Sequence, residues 1–225
     1  MQGVTQLTMN KSSHLVYLNR KARCAISSIL PDWAISLIPY RRETFHSDDW
    51  ETDYEAGFWD YMKESDEVAR YSIVAGYCRY FSPGGPILDI GSGEGILKDH
   101  LLPESYTEYL GVDLSENAIK RADATRQDGK AAFVQANMEE YVPDRSFDVI
   151  IFNECLYYSE TPLELVKRFE SHLNPGGRFI LSMTDLLKTR KIWQMLDQVY
   201  TLLETARCIN SVGFSWTIRV YQLPR

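Results

Sequence analysis

From about residue 86 onward, short apolar runs rich in strand formers alternate with stretches in which apolar residues recur every three or four positions. The runs PILDI (86–90), EYLGVD (108–113), AAFVQA (131–136), FDVIIF (147–152) and GRFILSM (177–183) read as strands. The segments 94–102, 115–127 and 162–173 between them read as helices. Ser115 stands where it caps the second of these, and Thr161 caps the third ahead of Pro162 at its first position. LNPGG (173–177) ends that helix in a turn. Beyond it KTRKIWQML reads as a helix, and VYTLLETARCIN and SWTIRVYQL as two strands joined by NSVG, a hairpin connection. The alternation predicts an α/β fold: a mostly parallel sheet of about seven strands, helices on both faces, and a C-terminal antiparallel strand pair.

Residues 1–85 follow a different pattern, dense in aromatics and mixed charge. A helix over about 66–81 puts Ile73, Val74, Tyr77 and Phe81 on one side, facing the sheet. Upstream of it Trp50, Tyr54, Phe58, Trp59 and Tyr61 crowd together, either as packing area or as a lid over a pocket. The chain thus divides into an N-terminal helical and aromatic cap over residues 1–65 and a main domain over residues 66–225. Its 225 residues, 44% hydrophobic, are enough for one substantial core.

A formal net charge of -7 repels a phosphate backbone, and the densest basic cluster is only Arg20, Lys21 and Arg23, so no nucleic-acid partner is expected. The stretch RKARCAISSILPDWAISLIPYRR has the charge layout of an export signal, but Ser27, Ser28, Pro31 and Asp32 interrupt its apolar part. No membrane association is expected. Cys24, Cys78, Cys155 and Cys208 are too scattered for a zinc knuckle or a disulfide framework, which fits a reducing cytoplasm. No His and carboxylate cluster suggests a metal.

The sharpest local signal is ILDIGSGEGILKDHL (87–101), with Gly91, Gly93 and Gly95 between a strand and a helix. Glycines there let the chain turn sharply and let a ligand meet bare backbone, beside a helix start that favours negative charge. A dinucleotide fingerprint GxGxxG requires glycine at 96, where Ile96 stands, and no phosphate-binding GK[ST] follows. Asp89-Ile90-Gly91-Ser92-Gly93-Glu94-Gly95 instead resembles motif I of the class I S-adenosylmethionine-dependent methyltransferases. YLGVDLS resembles the family's second strand, QANMEEY its adenine segment, FDVIIFNECLYY its motif IV and LNPGGRFILS the turn and strand beyond. The matches run in family order over residues 85–183. FNECLYYSETPLELVKRF with RYSIVAGYCRY is similar to small bacterial members, and distantly to N-methyltransferases of amino-sugar oligosaccharides.

The resemblance implies a Rossmann-like sheet, S-adenosylmethionine as cofactor and S-adenosylhomocysteine as product. It assigns cofactor binding to Asp89, Gly91, Ser92, Gly93, Asp113, Leu114, Asn137, Met138 and Asn153. Asp113 is similar to the acid that takes both ribose hydroxyls, which suits a charged acceptor. Asn137 replaces the usual acid, and an amide serves adenine by bidentate pairing. Asp89 faces the ligand's ammonium, and Tyr54, Trp59 and Tyr71 form an aromatic wall around the cationic methionine moiety. The implied reaction is in-line methyl transfer to nitrogen or oxygen of a small molecule such as an amine, a sugar or a secondary metabolite. Glu154, Tyr157 and, in the linking segment, His46 are the candidates for handling the acceptor's proton. Either a monomer or a homodimer fits. Two other readings stay open: a non-catalytic S-adenosylmethionine-binding partner of another enzyme, and an NAD-dependent oxidoreductase.

Overall fold

Strict alternation along the central strands sends Ile87, Val149 and Ile151 to one face of a sheet and Leu88, Ile90, Ile150 and Phe152 to the other, all of them buried. The computed structural model describes residues 29–37, 39, 40 and 50–224. Seven strands form one sheet among the described residues: β1 (Gly85–Ile90), β2 (Tyr106–Asp113), β3 (Ala131–Gln135), β4 (Phe147–Asn153), β5 (Leu173–Thr184), β6 (Thr201–Ile209) and β7 (Ser215–Gln222). Their order is β3-β2-β1-β4-β5-β7-β6. The first five are mutually parallel, and β7 runs antiparallel to both β5 and β6.

The helices are α1 (Asp32–Ser36), α2 (Trp50–Glu55), α3 (Val68–Phe81), α4 (Ile96–Asp99), α5 (Glu116–Thr125), α6 (Pro162–Arg168) and α7 (Leu187–Asp197). Helices α3, α4 and α5 cover one face through Val74, Cys78, Leu97, Ile119 and Ala122. Helices α6 and α7 cover the other through Leu165, Val166, Ile192 and Trp193. Each large apolar side chain so buried contributes about 1.5–3 kcal/mol, which makes the ends of β1 and β4 rigid supports for a site. Helix α1 docks on α7 by burying Ile35, while Arg190 donates to Leu30 O and Asp32 Oδ1, both at 2.6 Å.

The structure departs from the sequence pattern at four places. The buried stripe of α3 is Arg70, Tyr71, Val74, Ala75 and Cys78, whereas Ile73, Tyr77 and Phe81 are only partly covered. A charged residue lies within that stripe, so hydropathy alone rotates the face. The helix expected over 94–102 is confined to Ile96–Asp99, because left-handed glycines hold the chain out of helix up to Gly95 and Pro103 disfavours helix just after it. LNPGG does not leave the sheet: Leu173 already pairs with Phe147, and a register shift around Gly176, at φ 84°, absorbs the extra residues before Arg178 meets Val149. Ser115 does cap α5, accepting from Ala118 N at 3.1 Å, but Thr161 makes no side-chain cap and its own N–H donates to Ser159 Oγ.

Candidate functional site

Strand order reverses between β1 and β4, and the crevice outside the carboxyl ends of those strands is where parallel sheets of this kind take ligands. The chain leaving β1 there is pinned from below. Val112 O accepts from both Gly91 N at 2.8 Å and Ser92 N at 3.0 Å, which folds the loop over the tip of β2. Gly91, at φ 71°, leaves no room for a side chain, since a Cβ would stand 2.4 Å from Cys155 Cβ. Gly93, at φ 55°, presents its bare face to the Tyr54 hydroxyl, which would be 2.8 Å from a Cβ.

Two carboxylates frame this loop. Asp113, at the end of β2, accepts from Gly93 N at 2.8 Å and from Ser115 N at 3.0 Å. Burial raises its pKa above the ordinary carboxylate value, and those two N–H groups offset only part of the rise. Asp89, at the end of β1, is 1% exposed; its Oδ2 accepts from the Tyr109 hydroxyl at 2.5 Å, while its Oδ1 is buried with no hydrogen-bond partner. Burial pushes the Asp89 pKa up to about 7 against the pull of Tyr109, and the neighbouring Asp113 adds to the rise. Ser92 Oγ is likewise buried without a partner.

Leu114 is exposed beside Asp113. On the next strand exit, Asn137 Oδ1 accepts from Glu139 N at 3.0 Å and so shapes its own turn, and Met138 packs partly against the core under α6. Across the switch point lie Asn153 and Glu154. Glu154 is the one described non-glycine residue with positive φ, 61°, a conformation that strained functional positions adopt. Its Oε2 accepts from Thr184 Oγ1 at 2.5 Å and from the Tyr157 hydroxyl at 3.0 Å. Asn153 Oδ1 accepts from Arg70 Nη1 at 2.5 Å. Arg70 is 1% exposed and is neutralised by Glu67, whose Oε2 takes Nε at 3.1 Å and Nη2 at 2.8 Å.

Residues 50–63 lie over the crevice. Tyr54 is buried against the glycine loop, and burial together with Asp113 and Glu94 raises its hydroxyl pKa well above the usual value. Trp59 stacks on Trp50 at 5.6 Å, and Trp50 in turn meets the Tyr158 ring edge-on at 4.8 Å. Thus Asp89, Gly91, Ser92, Gly93, Asp113, Asn153 and Glu154 come together with Tyr54 and Trp59 above them. The Tyr71 ring is buried, parallel to His100 at 5.2 Å and 4.1 Å from the Arg70 guanidinium, and Tyr71 acts electrostatically on the hydroxyls of Tyr54 and Tyr109. His46 lies outside the described residues. The sequence pattern passed over Arg70 and Thr184. Only Arg70 left a trace, as a charge spaced four and eight residues from the buried Val74 and Cys78.

Several known proteins share this framework. A model of the family described as "Methyltransferase domain" matches residues 41–213. The ribosomal protein L11 methyltransferase of Thermus thermophilus is 32% identical over 127 residues, 55% of this chain and 47% of that protein. The tRNA U34 carboxymethyltransferase of Haemophilus ducreyi is 25% identical over 142 residues, 57% of this chain and 44% of that one. The chain therefore spans under half the length of these curated relatives. Among solved structures, the N-methyltransferase NodS of Bradyrhizobium japonicum WM9, in complex with S-adenosylhomocysteine, superimposes with a TM-score of 0.67 at 19% identity, over 79% of this chain and all of NodS. With a family match across most of its length and the strand order just described, the chain belongs to the methyltransferase-domain family, within the class I S-adenosylmethionine-dependent methyltransferases.

Proposed function

We propose that the protein transfers a methyl group from S-adenosylmethionine to a nitrogen or oxygen atom of a small-molecule acceptor, releasing S-adenosylhomocysteine. The observation that carries this reading is the loop without side chains at 91 and 93 set between two carboxylates, one of which keeps a buried oxygen without any protein partner. The donor set fits the cofactor. Asp113 suits a ribose diol, the unpaired Oδ1 of Asp89 suits an ammonium, and Leu114, Asn137 and Met138 border the place of an adenine. Tyr54 and Trp59 offer aromatic faces to a cation.

The cofactor, when bound, supplies a methyl group on a sulfonium that is already a good leaving group, so the chain needs no nucleophile of its own. What the residues contribute is alignment and dehydration. Holding reacting atoms near 3 Å in a fixed orientation is worth roughly 7–11 kcal/mol in favourable systems. The segment over residues 50–63 excludes water from above, and the ends of β4 and β5 fix the acceptor edge. There Glu154, held by Thr184 and Tyr157, accepts the proton of an acceptor amine or hydroxyl, or keeps an amine oriented by hydrogen bonding.

A small acceptor is favoured over a nucleic acid by the acidity of the covering segment. Asp53, Glu55 and Asp60 lie on the covering segment, and the whole chain carries a net charge of -7, so a polyanion meets repulsion at the entrance. The NodS neighbour is named an N-methyltransferase, whereas the curated relatives are named for ribosomal protein L11 and tRNA. The deciding experiment is a screen with labelled methyl donor across amines, phenols and sugars, with tRNA and ribosomal protein as controls. Label entering a small amine or hydroxyl supports the proposal, and label entering only the macromolecules refutes it. With the acceptor in hand, Glu154→Gln is expected to lower kcat by about 10²-fold or more while S-adenosylhomocysteine affinity stays within about twofold. Unchanged kcat removes Glu154 from the proton-handling role.

A further inference from the structure

The segment that carries Tyr54 and Trp59 is tied to the cofactor-side elements by charges that none of the roles above employs. Glu51 sets its carboxylate on the start of α5: Oε1 accepts from Glu116 N at 2.5 Å and Oε2 from Asn117 N at 3.1 Å. Helix starts leave such N–H groups without intrahelical partners, and the dipole there favours an anion. A second tie runs through the glycine loop itself. Glu94, only 3% exposed, pairs with Lys63 Nζ at 2.7 Å and with Arg121 Nη1 at 2.7 Å. The other terminal nitrogen of Arg121 donates to Tyr54 O at 2.8 Å. Residues 51, 54 and 63 are thereby fixed to the loop at 94 and to the helix that begins just after Asp113 and Leu114. Between the ties, the Tyr54 hydroxyl rests against Gly93.

We propose that Glu51 and Arg121 are positioning residues of a latch, and that a bound nucleoside leaves only when this latch opens. The inference rests on the reading of the crevice as the S-adenosylmethionine site. Its two ties differ in the way a latch requires. The Glu51 bonds lie at the exposed rim, where water replaces them at low cost when they break. Glu94 is buried and cannot lose both cations without leaving an uncompensated charge, so the loop end of the connection holds firm. The Glu51 and Arg121 contacts to the other body join groups 65 to 67 residues apart in sequence, so they exist only while the segment is docked. The same segment brings Trp50 onto Tyr158 at the acceptor edge, so docking closes both halves of the site together.

The test is the dissociation rate of S-adenosylhomocysteine from the full chain, followed by stopped flow. Glu51→Ala and Arg121→Met are each expected to raise it roughly tenfold, the change that about 1.4 kcal/mol produces. Glu51→Gln, which keeps the reach but gives up the charge, falls between Glu51→Ala and wild type. Raising salt speeds release from the wild type and has a smaller effect on the Glu51→Ala/Arg121→Met double variant, in which only the Lys63–Glu94 tie is left to screen. A purely structural role would lower the melting temperature of the free protein without this salt signature. Dissociation rates within about twofold of wild type in both single variants overturn the latch. If the wild type binds no S-adenosylhomocysteine, the reading of the site falls and the latch with it; tight binding with unchanged release removes the latch alone.

Discussion

Asp113→Ala is expected to weaken S-adenosylhomocysteine binding at least about a hundredfold, measured by calorimetry on protein whose circular dichroism matches wild type. Two ribose hydroxyls donating to a charged carboxylate are worth about 1.5–3 kcal/mol each, so their joint loss amounts to about 3–6 kcal/mol. At about 1.4 kcal/mol per factor of ten, that is two to four orders of magnitude. Asp113 also holds Gly93 N and Ser115 N, so the alanine variant loosens the glycine loop and the entry to α5 as well. Asp113→Asn separates the two effects. It keeps an oxygen for one backbone donor while giving up the charge, and its loss of affinity should be smaller than that of alanine. An alanine variant that binds within about threefold of wild type would show that the ribose is held elsewhere.

The second large effect concerns Asp89 and has opposite signs for stability and binding. Its native pKa is raised to about 7 by burial, whereas in the unfolded chain it takes the ordinary aspartate value near 3.8. The folded form therefore holds a proton that the unfolded form has lost between about pH 4 and pH 7. Stability falls as pH rises through that window, and above it the buried carboxylate costs on the order of 4 kcal/mol. Asp89→Asn replaces this cost by the smaller one of a buried amide NH2 at the position without a partner, while the amide oxygen still accepts from the Tyr109 hydroxyl. The free variant should melt several degrees above wild type at pH 8, and the gap should close towards pH 4. Binding moves the other way. The Oδ1 without a partner is the charge available to a ligand ammonium, so the variant should bind S-adenosylhomocysteine about tenfold or more weakly at pH 8. Wild-type affinity should itself decline as pH drops below about 7 and Asp89 takes up its proton. Equal melting temperatures at pH 8 would contradict the raised pKa, and unchanged affinity would contradict the ammonium contact.

Much of this arrangement was legible in the chain because it depends on local pattern. Apolar runs such as ILDI and VIIF mark strands buried on both faces, and the glycines at 91, 93 and 95 mark a loop whose φ values side chains resist. Asp113 stood out through its resemblance to the family's acid at the end of the second strand. What stayed hidden depends on contacts between distant segments. Glu51, Lys63, Glu94 and Arg121 look like a solvated charged surface until folding brings α2 onto α5 and buries Glu94. Arg70 was hidden differently, since a cation on a helix is read as the solvent side, whereas Glu67, Asn153 and the Tyr71 ring make a buried setting for it. The extent of α4 and the bulged start of β5 followed from proline, glycine and register, which apolar periodicity does not report.

The most direct test is calorimetry of the purified full chain with S-adenosylhomocysteine and NADH side by side at pH 8. The crevice built from Asp89, the bare loop and Asp113 should bind S-adenosylhomocysteine in the micromolar range or tighter and NADH not measurably. No heat with S-adenosylhomocysteine up to millimolar concentration, or preferential binding of NADH, would contradict it.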